Sequence, residues 1–315
     1  MTFQLHLADC FEWLPEQSPN SVHAVCTDPP YGVIEFSKKE IGKLRNGNRG
    51  GVWRVPPKIG GIERDPLPRF TTLNALDREN VRLYFKRFGQ ALLPVLAPGG
   101  HVLVAGNPML QHLVQSGMGE AGFEIRTAIM RLYRGFRGGD RPKLAEQEFP
   151  DVCVTPRGAY EPWMLFRKPI AEKTVAQNLR VWGTGGLRRI SSDQPFPDVI
   201  QSGRTPAVEE AISDHPCLKP QHLMRLLTRA LLPVGAGVLL DPFCGSGSTL
   251  AGAKAIGYQS VGVEIDEQYY SQALDTIPKL ARLYPHYKGE SLEMPDEPLA
   301  TKVRAPRHSS QVMLL

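Results

Sequence analysis

Asp241-Pro242-Phe243-Cys244-Gly245-Ser246-Gly247-Ser248-Thr249 follows the apolar run Val238-Leu239-Leu240 and precedes a helical pattern of Leu250, Ala251, Ala253, Ala255 and Ile256. The pattern predicts a strand, a tight glycine turn and a helix. Glycines let the backbone take φ > 0 and let a ligand come close. The turn sits at the carboxyl end of a strand, where open α/β sheets bind their ligands. A second apolar stretch, Ser260-Val261-Gly262-Val263-Glu264-Ile265-Asp266, ends in an acid. An acid about 20 residues past such a turn suits hydrogen bonds to a ribose hydroxyl. The dinucleotide spacing G-x-G-x-x-G and the phosphate loop G-x-x-x-x-G-K-[ST] are both absent. The stretch thus reads as half of a nucleoside-binding sheet, and its bland alternative is an ordinary strand, turn and helix.

A second stretch far upstream separates the two. Thr27-Asp28-Pro29-Pro30-Tyr31-Gly32 follows the apolar run 22–26. Two prolines stop the strand ladder and rigidify the turn. They place an acid and an aromatic ring at a strand's carboxyl end. Alone, this too reads as a plain turn; together, the two stretches are far more specific than either.

The pair resembles the amino-group DNA methyltransferases that use S-adenosylmethionine. Asp28-Pro29-Pro30-Tyr31 matches their catalytic motif, and Asp241 to Thr249 matches their cofactor loop D-P-F-x-G-S-G-T-T. The catalytic motif comes first, which resembles the permuted order of the beta group. Leu7-Ala8-Asp9-Cys10-Phe11 is similar to the family's adenine-side segment, with Ala8 in place of the usual glycine. His215-Pro216-Cys217-Leu218-Lys219-Pro220 resembles the segment before the cofactor strand, and Glu161 to Lys168 a later core strand. The resemblance covers roughly residues 2–168 and 213–282; 35–72 and 169–212 carry no matching motif.

The resemblance implies an α/β, Rossmann-like sheet, mostly parallel and doubly wound with one antiparallel strand. It implies methyl transfer from S-adenosylmethionine to a base amine of double-stranded DNA. As catalytic residues it implies Asp28, Pro29, Pro30 and Tyr31. Around the cofactor it implies Asp9, Cys10, Phe11, Asp28, Lys219, Asp241, Pro242, Phe243, Gly245, Ser246, Gly247, Thr249, Glu264 and Ile265. Within that set, Glu264 is expected on the ribose, Asp9 and Phe11 around the adenine, and Gly245 and Gly247 at the methionine end with Lys219 nearby. Dimers are common in the resembling group, so a homodimer is a candidate state. Nothing in the sequence specifies a restriction endonuclease partner.

The residue types suit that chemistry. An exocyclic base amine is a poor nucleophile because its lone pair is delocalised into the ring. The Asp28 carboxylate can accept one amine N–H and the Pro29 carbonyl the other. Two acceptors draw the nitrogen toward tetrahedral geometry and stabilise its developing positive charge. Tyr31 would stack on the base, which must first leave the duplex. No metal is required. An aspartate at the head of the motif resembles adenine-N6 enzymes more than cytosine-N4 ones, where serine is more frequent. Three rivals fit less well. A ring-carbon methyltransferase attacking with Cys217 would not need Asp28-Pro29-Pro30-Tyr31. An RNA or protein-glutamine amino methyltransferase is disfavoured by the full cofactor loop in permuted order. A non-enzymatic DNA-binding module would have no reason to keep both motifs.

Bulk properties agree. The chain has 315 residues, 42% of them hydrophobic, and a formal net charge of +5. That excess permits a polyanionic partner without proving one. Five cysteines without a C-x-x-C pair argue against a disulfide framework and a zinc knuckle. No apolar run approaches membrane-spanning length and no signal-peptide pattern opens the chain, so a soluble, cytoplasmic protein is expected, with no membrane partner.

Outside the motifs, periodicity predicts strands over 3–7, 22–26, 101–105, 123–133 and 162–166, and helices over 11–16, 78–96, 108–117, 220–232 and 267–283. Residues 1–168 and 213–285 are expected to form the catalytic and cofactor domain. Residues 33–75 read as a basic insertion: from 35 to 70, nine basic residues stand against four acids among dense glycines and prolines. Beside the catalytic turn, such a loop suits DNA phosphates. Residues 134–141 are basic and flexible, an exposed hairpin or a DNA contact. Residues 169–212, with poor periodicity and interleaved arginines, are placed as the target-recognition region. Arginine is the side chain best suited to bidentate guanine contact. Residues 286–315 read as a frayed tail.

Overall fold

The computed structural model describes residues 3–29, 58–59, 62–63, 75–133, 139–213, 215 and 217–293. Most of the basic insertion, the 134–138 loop, Pro30, Tyr31 and the tail beyond 293 lie outside the described residues. Nine strands form one sheet: β1 (Phe3–Leu7), β2 (Val22–Thr27), β3 (Leu96–Ala105), β4 (Glu124–Ile125), β5 (Ile129–Leu132), β6 (Tyr160–Arg167), β7 (Val199–Gln201), β8 (Val238–Asp241) and β9 (Gln259–Glu264). Their order is β1-β9-β8-β2-β3-β6-β5-β7, and β4 also pairs with β6. The first five positions are parallel throughout. β6 runs against β3, β4 and β5, while β7 is parallel to β5. Among the described strands of this sheet β6 is thus the one reversed, as the resemblance implies; Lys58–Ile59 and Ile62–Glu63 form a separate antiparallel pair.

Strand composition explains the layering. Central parallel strands are covered on both faces and read as apolar runs. Successive side chains still point to opposite faces. Val25, Val102, Val104, Leu240, Met164 and Phe166 enter one core. Their neighbours Ala24, Cys26, Leu103, Ala105, Leu239, Trp163 and Leu165 enter the other. The first core is covered by α1 (Cys10–Trp13), α2 (Ala75–Val95) and α3 (Gln111–Glu120), with Phe85, Phe88 and Leu92 of α2 inward. The second is covered by α6 (Gln221–Leu231). α7 (Ser248–Ala255) and α8 (Glu267–Arg282) form a third cluster with Leu250, Ala273 and Ile277, against which Phe3 and Leu5 of β1 pack.

Three expectations need correction. Residues 123–133 form two short strands rather than one. The spacing of Leu223, Leu226, Leu227, Ala230 and Leu231 predicts one apolar face for α6, but the helix is buried almost all round. Its Arg225 donates to the carbonyls of Leu280, Ala281, Tyr284 and Tyr287, at and just beyond the end of α8. A cation there satisfies carbonyls that the helix leaves unpaired. Third, 169–212 is more regular than its periodicity suggests. It contains α4 (Val175–Trp182) and α5 (Ala207–Glu210), and β7 extends the sheet. Asn178 and Thr184 both donate to the Pro98 carbonyl, and Ile190 and Ile200 join the second core. These contacts are tertiary, which is why local periodicity missed them.

His101 of β3 is buried beside Arg167. Burial, then Arg167 and Arg126, pushes its imidazole down to about 3. The fold therefore holds His101 neutral, while the unfolded chain protonates it near its ordinary value. Its contribution to stability is present above about pH 6.5 and is lost as pH falls toward 3. At pH 5 the loss is about 2 kcal/mol for this one group. Urea unfolding at pH 7.5 and pH 5 measures it: His101→Gln should lose less stability between the two than the parent protein.

Candidate active site

The carboxyl ends of β1, β9, β8 and β2 lie side by side, and among the described residues Asp9, Asp28, Asp241 and Glu264 stand at or just beyond them. Leu7 of β1 sits opposite Glu264 of β9, and the Ala8 N–H donates to the Glu264 carbonyl at 2.9 Å. This brings Asp9, Cys10 and Phe11 to the same edge as Glu264 and Ile265. Asp9 caps α1, accepting the Phe11 N–H at 2.8 Å. The Phe11 ring lies against Tyr84 and Phe88, with the Arg87 guanidinium 4.5 Å from its centroid. Cys10 turns into the core, and burial pushes its thiol up to about 12. Its side chain is thereby withdrawn from the edge that Asp9 and Phe11 share with Glu264.

Glu264 organises the turn. One carboxylate oxygen accepts the Gly245 N–H at 2.8 Å and the other the Asp266 N–H at 2.9 Å. Its neighbour Ile265 is 69% exposed, an apolar surface left in solvent at the strand end. Gly245 and Gly247 both have positive φ, +50° and +86°. A Cβ on Gly247 would lie 2.3 Å from Ile277 of α8. This glycine is therefore required by helix packing as well as by the turn.

Asp241 is buried, and its carboxylate is occupied within the loop. Oδ1 accepts the Thr27 hydroxyl at 2.7 Å and the Phe243 N–H at 3.2 Å, and the Thr249 hydroxyl also bonds to the carboxylate. Burial pushes its carboxyl up to about 6 despite these donors. Asp241 and Thr249 thus brace the loop from inside. Pro242 and Ser246 are buried too, and Phe243 packs on Phe88 at 5.3 Å. The Thr27–Asp241 bond ties the two motifs together, because Asp28 and Pro29 follow Thr27 directly.

Lys219 stands beside the cofactor loop, its backbone N–H donating to Ser248 Oγ at 3.2 Å, and its side chain turns toward the catalytic motif. Its Nζ lies 2.7 Å from Asp28 Oδ2 and 3.0 Å from Glu161 Oε1, so it joins two carboxylates. Burial opposes its charge, yet Asp28 and Glu161 outweigh burial and raise its pKa. Glu161 also accepts Arg131 Nη1 at 3.1 Å and Trp163 Nε1 at 3.0 Å, both on Oε2. No motif in the sequence marks Glu161, Arg131 or Trp163 as a site residue. Attention to strands' carboxyl ends passes over Glu161 and Trp163, since β6 is reversed and brings its amino end to this edge, while Arg131 sits on the short neighbouring strand β5. A legible signal existed: an acid at the head of the otherwise apolar run Pro162 to Phe166.

The model of the N6/N4 DNA methylase family matches residues 22–275. The chain belongs to this family. The activity that membership carries is methyl transfer from S-adenosylmethionine to the amine of a DNA base. Similar curated proteins include the type II methyltransferase M2.DpnII of Streptococcus pneumoniae, 22% identical over 83% of this chain and 84% of its own length. Type II methyltransferase M.HindIII of Haemophilus influenzae is 22% identical over 82% of this chain and 89% of its own. Among solved structures, TTHA0409 of Thermus thermophilus, complexed with S-adenosyl-L-methionine, has a TM-score of 0.55 at 19% identity, covering 90% of this chain and 96% of that one. The cytosine-N4-specific PvuII DNA methyltransferase also reaches 0.55, at 15% identity over 89% and 92%. At these identities the structures establish a shared fold. As a DNA methylase, the protein has its family's motifs on neighbouring parallel strands. Among the described residues no helix is long and apolar enough to cross a membrane, and no His, Cys, Asp and Glu cluster could hold a metal ion.

Proposed function

We propose that this methylase transfers a methyl group to adenine N6 at a specific site in double-stranded DNA, with Asp28 and Pro29 as the amine's acceptors. One observation carries the reading. The Thr27–Asp241 bond of 2.7 Å fixes the start of the catalytic motif against the cofactor loop on the adjacent strand. The residues at that edge suit S-adenosylmethionine. Glu264 offers a carboxylate already oriented by two backbone N–H groups, and exposed Ile265 and the Phe11 ring offer apolar surface for a purine. The amino end of α7 suits the methionine carboxylate, as helix amino termini favour anions. The bound donor supplies an electrophilic methyl on its sulfonium.

The chain's own part is positioning and charge. Asp28 and the Pro29 carbonyl hold the amine and stabilise positive charge as it develops on nitrogen. Tyr31 stacks on the flipped base. Holding the partners in near-attack geometry supplies much of the acceleration. Segment 33–75 is assigned to DNA phosphates and 169–212 to target recognition, where Arg180 and Arg204 are exposed. The enzyme works in the cytoplasm on genomic DNA, with a homodimer as its candidate state.

Cytosine N4 is the second reading, because a cytosine-N4-specific enzyme shares the fold. The aspartate of Asp28-Pro29-Pro30-Tyr31 supports adenine by resemblance, since serine is the cytosine enzymes' more frequent residue; a charged acceptor strengthens the bond to either base's amine. Methylated DNA digested to nucleosides and resolved by mass should give N6-methyladenine. N4-methylcytosine alone would reverse the choice of base and leave the roles of Asp28 and Pro29 intact.

A further inference from the structure

Four charged side chains form a line under the catalytic turn: Asp28, Lys219, Glu161 and Arg131. Glu161 and Arg131 are buried, at 7% and 5% exposure. Lys219 reaches both carboxylates from the segment between α5 and α6. The line is anchored at its far end, where Arg131 Nη2 donates to the Gly203 carbonyl at 3.1 Å and the guanidinium lies 4.9 Å from the Tyr133 centroid. Every oxygen of Glu161 has a donor: Lys219 on Oε1, and Arg131 and Trp163 on Oε2.

Stability alone does not account for this arrangement. Removing two ions from water costs several kcal/mol each, and apolar groups of similar volume often serve as well or better. The second core already surrounds Trp163 with aliphatic side chains. A buried ionic line that ends on the catalytic carboxylate has a reason in the reaction. Lysine is a point charge on a flexible four-carbon stem, and it holds one geometry only when its own position is fixed.

We propose that Glu161 is a positioning residue for methyl transfer, acting on Asp28 through Lys219. It has two effects. It pins the Lys219 ammonium, and so fixes the direction in which Asp28 presents its carboxylate to the amine. It also neutralises that ammonium. The amine gains positive charge as the methyl arrives, and Asp28 must answer that charge. An uncompensated Lys219, 2.7 Å from Asp28, would cancel the negative charge the reaction needs. With Glu161 in place, its carboxylate offsets the Lys219 ammonium beside Asp28, and the balancing cation, Arg131, stands at the far end of the line, so Asp28 keeps more of its charge for the base.

The inference rests on Asp28 being the amine's acceptor, and the test separates the two. Single-turnover methyl transfer to duplex DNA is measured at saturating S-adenosylmethionine, alongside cofactor affinity by calorimetry. Glu161→Gln keeps the shape and removes the charge. The rate should fall about 10²-fold, the scale of a misplaced catalytic group, while cofactor affinity changes less than about threefold. Removing the stranded ammonium as well, in Glu161→Gln/Lys219→Met, should recover part of that loss. A merely structural Glu161 would predict the reverse, since the double variant strips more of the network. If Glu161→Gln does not fold, Glu161→Gln/Lys219→Met/Arg131→Met, which strands neither Lys219 nor the buried Arg131, is compared with Lys219→Met alone: equal rates support the inference, and a further loss overturns it. A parental rate in Glu161→Gln, or parallel losses of rate and cofactor affinity, also overturns it. If the parent protein itself methylates no DNA, the functional reading fails instead.

Discussion

Asp28→Ala should lower kcat by about 10²–10³-fold while the protein keeps its fold and at least part of its affinity for S-adenosylmethionine. The magnitude is that of removing one preorganised partner of transition-state charge. The amine is nearly neutral in the ground state, so the carboxylate matters most once nitrogen becomes positive. Such an interaction affects kcat far more than binding. The fold should survive because Asp28 is partly exposed, and its partner Lys219 retains Glu161. Turnover assays and calorimetry on the same preparation check both halves. Near-parental turnover would remove Asp28 from the mechanism, and loss of cooperative unfolding would make it a structural residue.

Glu264→Ala should do the opposite: weaken S-adenosylmethionine binding about 10–100-fold, with the rate at saturating cofactor much less affected. Hydrogen bonds to a charged group contribute about 1.5–3 kcal/mol, and 1.4 kcal/mol is tenfold in affinity. The substitution acts twice. It removes the proposed ribose acceptor, and it releases the Gly245 and Asp266 N–H groups that shape the loop. Glu264→Gln separates these effects, because an amide oxygen can still accept one N–H; its loss should be smaller. Unchanged cofactor affinity in Glu264→Ala would place the nucleoside elsewhere.

Much of this was legible in the sequence, for physical reasons. Parallel strands are buried on both faces, so Val22 to Cys26 and Val238 to Leu240 stand out as apolar runs, and turns at their carboxyl ends are where such sheets bind. What escaped depends on contacts between distant segments. The side chains of Asp241 and Thr249 point into the fold, although their motif alone suggests ligand contact. Lys219 faces Asp28 and Glu161 because the reversed strand β6 brings Glu161 to the binding edge, and strand direction is not written in a short apolar run. β7 and α4 stayed hidden because Ile200 and Asn178 are fixed by partners far along the chain, the Asn178 amide by the Pro98 carbonyl among them.

The central claim, methyl transfer to a DNA base amine, is tested most directly with S-adenosylmethionine carrying an isotopically labelled methyl group. The purified protein is incubated with duplex DNA and, separately, with RNA of matched sequence. The nucleosides are then resolved by mass. The account predicts the label on adenine N6 in DNA and little or none in RNA. Label confined to RNA, label on a ring carbon, or a protein that binds S-adenosylmethionine and leaves DNA unlabelled would contradict it.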